Sequence, residues 1–335
     1  MSGAIMQKRN TVFIAKGLIF FAVLNGCAKN SNDPPLPSAQ TVLYGLDERQ
    51  TLTIRIPQKK AAHAIVYIHG GFYYAGNRLW YPDFLADYAE DTVFATIDYR
   101  LISIANNTIH LDDMLADVDS ALAKISILAN EHDVSITDFI LVGHSAGAHI
   151  ALLYGYKYFL ENADKQIPIA ACVSLAGPSD YTDDFGWSAM SYYGANLKDR
   201  LLQLSWLGSE LVGTKINLVQ YNWTAQNNYD EFKNYIESIS PIMYVDKDKK
   251  LPPTLLVHGI DDSIVPYSNS VKLDAALNTT DVPHELITVT GTGNNHMLGG
   301  MPDRANAITP IRYKNEPWVD DAKVWLESYL KEPGL

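Results

Sequence analysis

Cysteine is nearly absent from this chain: 335 residues contain two, Cys27 and Cys172. A disulfide framework is therefore excluded, and stability has to come from a buried apolar core. Metal and nucleotide signatures are missing as well. There is no His-Glu-x-x-His, no Cys-x-x-Cys and no phosphate loop, so the sequence implies no metal and no other cofactor. Positive charge is in short supply, with 26 Lys and Arg against 38 Asp and Glu and a net charge of −12. That balance disfavours nucleic acid as a partner. Long hydrophobic runs are lacking too. The most apolar stretch, residues 12–24, is interrupted by Lys16 and falls short of the roughly 20 residues that a spanning helix needs. No internal repeat is visible.

What that stretch does fit is an export signal. Lys8 and Arg9 give it a basic start, and Leu24-Asn25-Gly26-Cys27 resembles a bacterial lipobox, in which the cysteine becomes the lipidated first residue. On this reading residues 1–26 are removed, Cys27 carries the lipid, and residues 27–40, with Pro34, Pro35 and Pro37, are a flexible tether. The protein is then exported and membrane-anchored on the periplasmic or cell-surface side, touching the membrane through the anchor alone. The alternative is an ordinary signal peptide and a secreted soluble protein. Without Lys8, Arg9 and Lys16 the chain keeps 23 basic against 38 acidic side chains, a net charge of −15. Cys172, inside the apolar run 169–175, reads as a small buried core residue.

From residue 41 onward the chain alternates apolar runs with helix-like segments. Short buried strands are expected at 64–68, 93–97, 139–142, 169–175, 253–258 and 285–290, and 41–44 with 51–56 reads as an antiparallel edge hairpin. Amphipathic helices are expected at 112–130 and 317–330. This order predicts one α/β domain over 41–335, a mostly parallel sheet with helices on both faces. The aromatic-rich stretch at about 179–240, which includes Phe185, Trp187, Trp206 and Trp223, predicts a helical cap inserted over the site.

The most informative motif lies behind the run 139–142. Gly143-His144-Ser145-Ala146-Gly147 precedes a helix-like segment, and strand, Gly-x-Ser-x-Gly, helix is the order in which a sharp turn presents a serine hydroxyl. The bland reading is a glycine-bracketed turn with Ser145 as a helix cap. An acyl-transfer serine also needs oxyanion donors, a base, and a group that orients the base. His69-Gly70-Gly71-Phe72 follows the strand 64–68, and the amides of Gly71, Phe72 and Ala146 could supply the donors; a plain Gly-Gly turn is the competing reading. Asp261 and Asp262 both follow the strand 253–258, and either could orient a base. His296, on a glycine-rich loop after the strand 285–290, is the histidine in the required chain order. Among the others, His63 and His284 read as exposed loop residues, while His69 and His258 read as strand-closing residues that shape their loops. Tyr73 and Tyr74, His144 and Met297 lie next to these motifs and are taken as substrate-binding residues.

Taken together, the motifs resemble the α/β-hydrolase superfamily, in its carboxylesterase and lipase branch of hormone-sensitive-lipase-like and kynurenine-formamidase-like enzymes. They are His69-Gly70-Gly71, Asp98-Tyr99-Arg100-Leu101, the turn at Ser145, His258-Gly259-x-x-Asp262-x-x-Val265-Pro266 and Gly293-x-x-His296. The resemblance covers roughly residues 40–331. It implies an α/β-hydrolase fold with a cap and a triad of Ser145, Asp262 and His296, Asp262 being the acid that fits the family spacing. It also implies no cofactor and a small-molecule ester as substrate. Phe72 replaces a third glycine that many of these esterases carry, and Tyr73 stands where the formamidase-like branch usually has tryptophan. The function expected is a serine carboxylic-ester hydrolase for small or medium acyl groups. An arylformamidase or carbohydrate-ester deacetylase would use the same triad, and a non-catalytic binding protein of this fold is the reading from another class.

Overall fold

The computed structural model describes residues 37–58, 63–102, 108–158, 167–182, 234, 237–291, 295–300, 310–313 and 316–331. The signal segment, the tether to residue 36 and most of the expected cap lie outside the described residues.

Eight strands form one sheet in the order β1-β2-β4-β3-β5-β6-β7-β8. The edge hairpin is present: β1 (Gln40–Leu43) pairs antiparallel with β2 (Thr51–Arg55), which pairs antiparallel with β4 (Val93–Ile97). From β4 onward every pairing is parallel, through β3 (His63–Ile68), β5 (Asp138–His144), β6 (Ile169–Leu175), β7 (Thr254–Gly259) and β8 (His284–Val289). β3, β4, β5 and β7 are buried along their whole length, which is why they read as continuous apolar runs rather than alternating ones.

Alternate residues of each strand feed two cores. Ala64, Val66 and Ile68 point to the face covered by α1 (Leu111–Asn130), α2 (Ala146–Leu153) and α3 (Ser268–Leu277). Ile65 and Tyr67 point to the other face, covered by a 3-10 stretch at Asp83–Glu90 and by α4 (Pro317–Leu330). The sheet is thus layered on both sides, as expected from the sequence.

Local chemistry explains the helices. In α1, Leu111, Met114, Leu115, Val118, Leu122 and Ile125 recur at i, i+3, i+4 spacing and are buried, while the Asp113 carboxylate accepts the His110 amide at 2.9 Å and closes the N-terminus. α2 is buried on every side, which its Ala, Gly, Ile and Leu content permits. α4 packs beside the base loop, where the Trp318 indole N–H donates to the Leu298 carbonyl at 2.9 Å. Cys172 is fully buried among these layers, and burial pushes its thiol pKa far up.

Two sequence readings fail here; His284 opens β8 and is half-buried rather than exposed in a loop. His63 is not an exposed loop residue; it opens β3, is buried, and places Nδ1 2.7 Å from the Asp138 carboxylate at the start of neighbouring β5. The partner that buries it is 75 positions away in sequence.

Candidate active site

Ser145 occupies the turn between β5 and α2 with φ 54° and ψ −121°. A non-glycine residue there is strained, and such strain persists only where its surroundings enforce it. They do. The Ser145 amide donates to the Leu175 carbonyl at the end of β6 at 2.8 Å, and the Ser145 carbonyl accepts the His149 amide at 3.1 Å, the first bond of α2. The flanking glycines are obligatory for space. A Cβ on Gly143 would lie 2.2 Å from the Gly147 carbonyl oxygen, and one on Gly147 would lie 2.1 Å from that of Ile68.

The two loops at the far end of the sheet bring the remaining groups to this serine. Ser145 Oγ lies 3.0 Å from His296 Nε2, and His296 Nδ1 lies 2.8 Å from Asp262 Oδ2. All three residues are buried, between 5% and 8% exposed. Of the two acids left open by the motif, Asp262 reaches the base and Asp261 is exposed. Asp262 is held from several sides: Oδ1 accepts the amides of Ile264 (2.8 Å) and Val265 (3.0 Å), and Oδ2 lies 3.3 Å from His258 Nε2. Burial alone would raise its pKa, but the bonds from His258, from His296 and from the Ile264 amide outweigh burial and hold the carboxyl well below the usual range.

His258 shapes this loop, as expected: Nε2 donates to the Val265 carbonyl at 2.9 Å, and the Ser270 hydroxyl of α3 donates to Nδ1 at 2.7 Å. Its approach to the acid itself was not read from the sequence. The signal available was spacing, since His258 stands four positions before Asp262 across the strand-end turn.

On the opposite side of Ser145, the loop after β3 runs against the turn. A Cβ on Gly70 would meet the His144 carbonyl oxygen at 2.7 Å and Ser145 Cβ at 3.0 Å. Gly71 takes φ 123°, Phe72 φ 55° and Tyr73 φ 66°, a left-handed run whose first member only glycine fills easily. The amides of Tyr74 and Ala75 donate back to the Gly71 carbonyl at 3.2 and 3.0 Å. Gly70 is thus packed against the Ser145 turn, Gly71 and Phe72 follow it in the chain, and Ala146 is the chain neighbour of Ser145. The Asp98-Tyr99-Arg100 segment buttresses this loop. The Tyr99 hydroxyl donates to the His69 carbonyl at 2.9 Å, Asp98 binds Arg78 at 2.6 Å, and Arg100 grips Asp117 through Nε and Nη2.

Two of the four residues taken as substrate-binding, Tyr73 and His144, are buried and tied into the scaffold. Tyr73 turns inward, 3% exposed, and its hydroxyl lies 2.9 Å from His149 Nδ1 and 2.6 Å from the Tyr181 hydroxyl. Tyr73 has a positive φ, and the His149 it meets is a buried residue of α2. His144 is buried and donates Nε2–H to the His296 carbonyl at 2.9 Å. Met297 packs partly buried against the core on the α4 side. Tyr74 is 44% exposed, and its ring stacks on Phe72 at 6.0 Å. Burial drives the pKa of His69, His144 and His149 down to about 4 each, so these rings are neutral near pH 7. Among the described residues no group of histidine, cysteine and acidic side chains could hold a metal ion, and no helix is long and apolar enough to cross a membrane. Cys27 and the lipid-anchor reading lie outside the described residues.

Known proteins carry the same architecture. The BD-FAE family profile matches residues 52–277, more than half of the chain, taking in Ser145 and Asp262 and stopping short of His296. Among curated relatives, an isoprenylcysteine alpha-carbonyl methylesterase of Arabidopsis thaliana is 24% identical over 259 residues, which covers 75% of this chain and 55% of the relative. The non-reducing polyketide synthase Preu6 of Preussia isomera is 24% identical over 306 residues, 79% of this chain but 13% of the synthase. The chain therefore spans a small part of the one and about half of the other. Among solved structures, a truncated carbohydrate esterase from gut microbiota superposes with a TM-score of 0.62 at 19% identity, covering 89% of this chain and 98% of that one. At that identity what is shared is the fold, which is the α/β-hydrolase fold.

Proposed function

With its profile matched over more than half of the chain, this protein belongs to the BD-FAE family of α/β-hydrolase type, and on that premise we propose that it is a serine carboxylic-ester hydrolase. The observation that carries the reading is the unbroken line of Ser145 Oγ, His296 and Asp262, with contacts of 3.0 and 2.8 Å.

In this mechanism Ser145 Oγ bonds to the ester carbonyl carbon as its proton passes to His296 Nε2, and the carbonyl π electrons move onto the oxygen. The amides of Gly71, Phe72 and Ala146 stabilise that oxyanion, each donor contributing about 3 kcal/mol. Re-forming the carbonyl breaks the bond to the alcohol oxygen, which takes the proton from His296 and leaves. Water then repeats the sequence on the acyl-serine and releases the acid. Asp262 keeps the His296 Nδ1 proton in place and stabilises the imidazolium. Small and medium acyl esters suit the acidic chain better than anionic lipid aggregates do, and Tyr74 with Phe72 offers an aromatic edge to the leaving group or acyl chain. The lipidated Cys27 and export to the periplasmic or cell-surface side belong to the same proposal. They predict that Cys27→Ser frees the protein from membranes.

Hydrolysis of p-nitrophenyl acetate, butyrate and octanoate tests the activity. Turnover favouring the shorter esters, and falling at least about 10⁴-fold in Ser145→Ala, is the result expected. Turnover unchanged by Ser145→Ala would sink the reading.

A further inference from the structure

His144 has been described so far by where it sits, the residue before the serine, and its contacts reach further than that. It is the last residue of β5, so its backbone fixes the turn that carries Ser145. Its Nε2–H is bonded to the main-chain carbonyl of His296, 152 positions away, at 2.9 Å. A Cβ built on Gly70 would stand 3.0 Å from His144 Nδ1, so the ring's other edge abuts the loop after β3. One imidazole is wedged between the serine turn, the Gly70 backbone and the base's own peptide. The His144 and His296 rings are 5.2 Å apart and tilted at 53°.

We propose that His144 is a positioning residue for the hydrolytic reaction, holding the His296 peptide so that its imidazole meets Ser145 and Asp262 together. The proposal rests on the triad reading above and goes beyond it. The short turn Asn295–Met297 needs such an anchor. On its far side Trp318 Nε1 holds the Leu298 carbonyl, and His144 holds the carbonyl of His296 itself. Without the second anchor the imidazole can shift relative to both partners, and a displacement near 1 Å costs about 10²-fold in rate. A neutral donor is required at this point, because His296 becomes cationic during acylation and a charged neighbour would oppose it. The groups that face His144 are His296, Asp262 and His258, and burial keeps His144 neutral with a pKa of about 4.

The experiment compares His144→Phe, which keeps a ring and removes the donor, with His144→Gln, which returns a neutral N–H donor. It uses the full chain. Steady-state kinetics on p-nitrophenyl butyrate are read beside the downfield proton resonance of the His296–Asp262 hydrogen bond. Phe at position 144 is expected to lower kcat about 10- to 100-fold, with KM within about twofold and the resonance lost or shifted. Gln is expected to recover most of both. His144→Leu replaces the Phe variant if that one fails to fold. The proposal is overturned if the donor-less variant keeps kcat and the resonance, or if Phe and Gln lose rate equally while the resonance stays in place. If the wild type shows no Ser145-dependent turnover, the triad reading fails. The resonance comparison still decides whether His144 holds the base, so the two failures are distinguishable.

Discussion

Two buried carboxylates stand just past the ends of parallel strands, Asp98 after β4 and Asp262 after β7, and they are held in opposite ways. Asp98 meets two permanent cations, the Arg78 guanidinium at 2.6 Å and Arg49 at 3.7 Å, besides the Arg78 amide at 2.6 Å and the His69 imidazole at 3.6 Å. Asp262 meets the amides of Ile264 and Val265 and the imidazoles of His296 and His258, and among the described residues no Lys or Arg is paired with it. Under the proposed mechanism, the difference separates a structural acid from a reactive one. Around Asp98 the counter-charge is always present, so the pair locks Arg78 and Arg49 into a frame beneath the Gly70-Gly71 loop. Around Asp262 that mechanism has the counter-charge made during the reaction, when His296 takes the serine proton. The field of Asp262 is then felt most strongly in the transition state, which is where an interaction accelerates a reaction.

The sharpest way to break this contrast is to neutralise Asp262. Asp262→Asn keeps the shape but presents an amide N–H to a ring nitrogen that also carries hydrogen, so His296 is driven to the wrong tautomer. The expected fall in kcat is about 10⁴-fold. Asp261→Asn, one residue earlier and exposed, is expected to stay within about twofold. A rate lost in Asp261→Asn and kept in Asp262→Asn would reverse the assignment.

Acid separates the two regions in a second way. Asp262 is held well below the usual carboxylate range, so whatever stability it adds is present above about pH 4 and is lost only as pH falls through its lower folded value. The buried histidines lose stability in the same direction as pH falls, but over a higher window. His69 beside Asp98, and His144 and His149 beside the serine turn, have pKa values of about 4 in the folded chain. Below pH 6.5 the unfolded chain binds protons that these folded sites refuse. Stability therefore falls as pH drops from 6.5 toward 4 and levels off beneath that, by about 3 kcal/mol for each site. Urea midpoints at pH 7, 6 and 5 should decline in steps, and His149→Gln should flatten the decline. A flat profile down to pH 5 would contradict the neutral, buried assignment.

Much of this was legible in the sequence, for a local reason. Ser145, Asp262 and His296 each follow an apolar run that forms a strand, and the sharp turn at Ser145 excludes side chains at Gly143 and Gly147, which leaves a readable mark. The resemblance, not the spacing alone, separated Asp262 from Asp261. What stayed hidden is the set of contacts between loops that belong to different strands. His63 looked exposed because its burial depends on Asp138 in the next strand. Tyr73 looked like a pocket wall because it adjoins the glycine loop, but its hydroxyl meets His149 on α2, a partner 76 positions away. The bond from His144 to the His296 carbonyl leaves no periodicity at all. The 3-10 stretch at Asp83–Glu90 was not anticipated either. Its buried Phe84, Leu85 and Ala89 follow no strand-like alternation.

Two milder changes test the scaffold on each side. Asp98→Asn leaves Arg78 without its charge partner; because the Arg78 side chain is 21% exposed, the cost is expected near the low end for such pairs, about 2 kcal/mol in unfolding free energy. Activity should follow stability and recover at lower temperature. Ser270→Ala should do less, and in a different place. The Ser270 hydroxyl donates to His258 Nδ1 and so obliges Nε2 to carry the proton that points to the Val265 carbonyl and Asp262. Without it, His258 can move its proton to Nδ1, and Nε2 then turns a lone pair toward two acceptors. The expected loss is about 1 kcal/mol, which amounts to roughly fivefold in kcat if it is felt wholly in the transition state. A rate effect from Ser270→Ala, 12 positions from the nearest histidine and on another element, would show that the reactive acid depends on its tautomer-setting neighbours. The arginine-bound acid should show no such dependence, and an Asp98→Asn variant whose kcat falls at unchanged stability would erase the distinction between the two carboxylates.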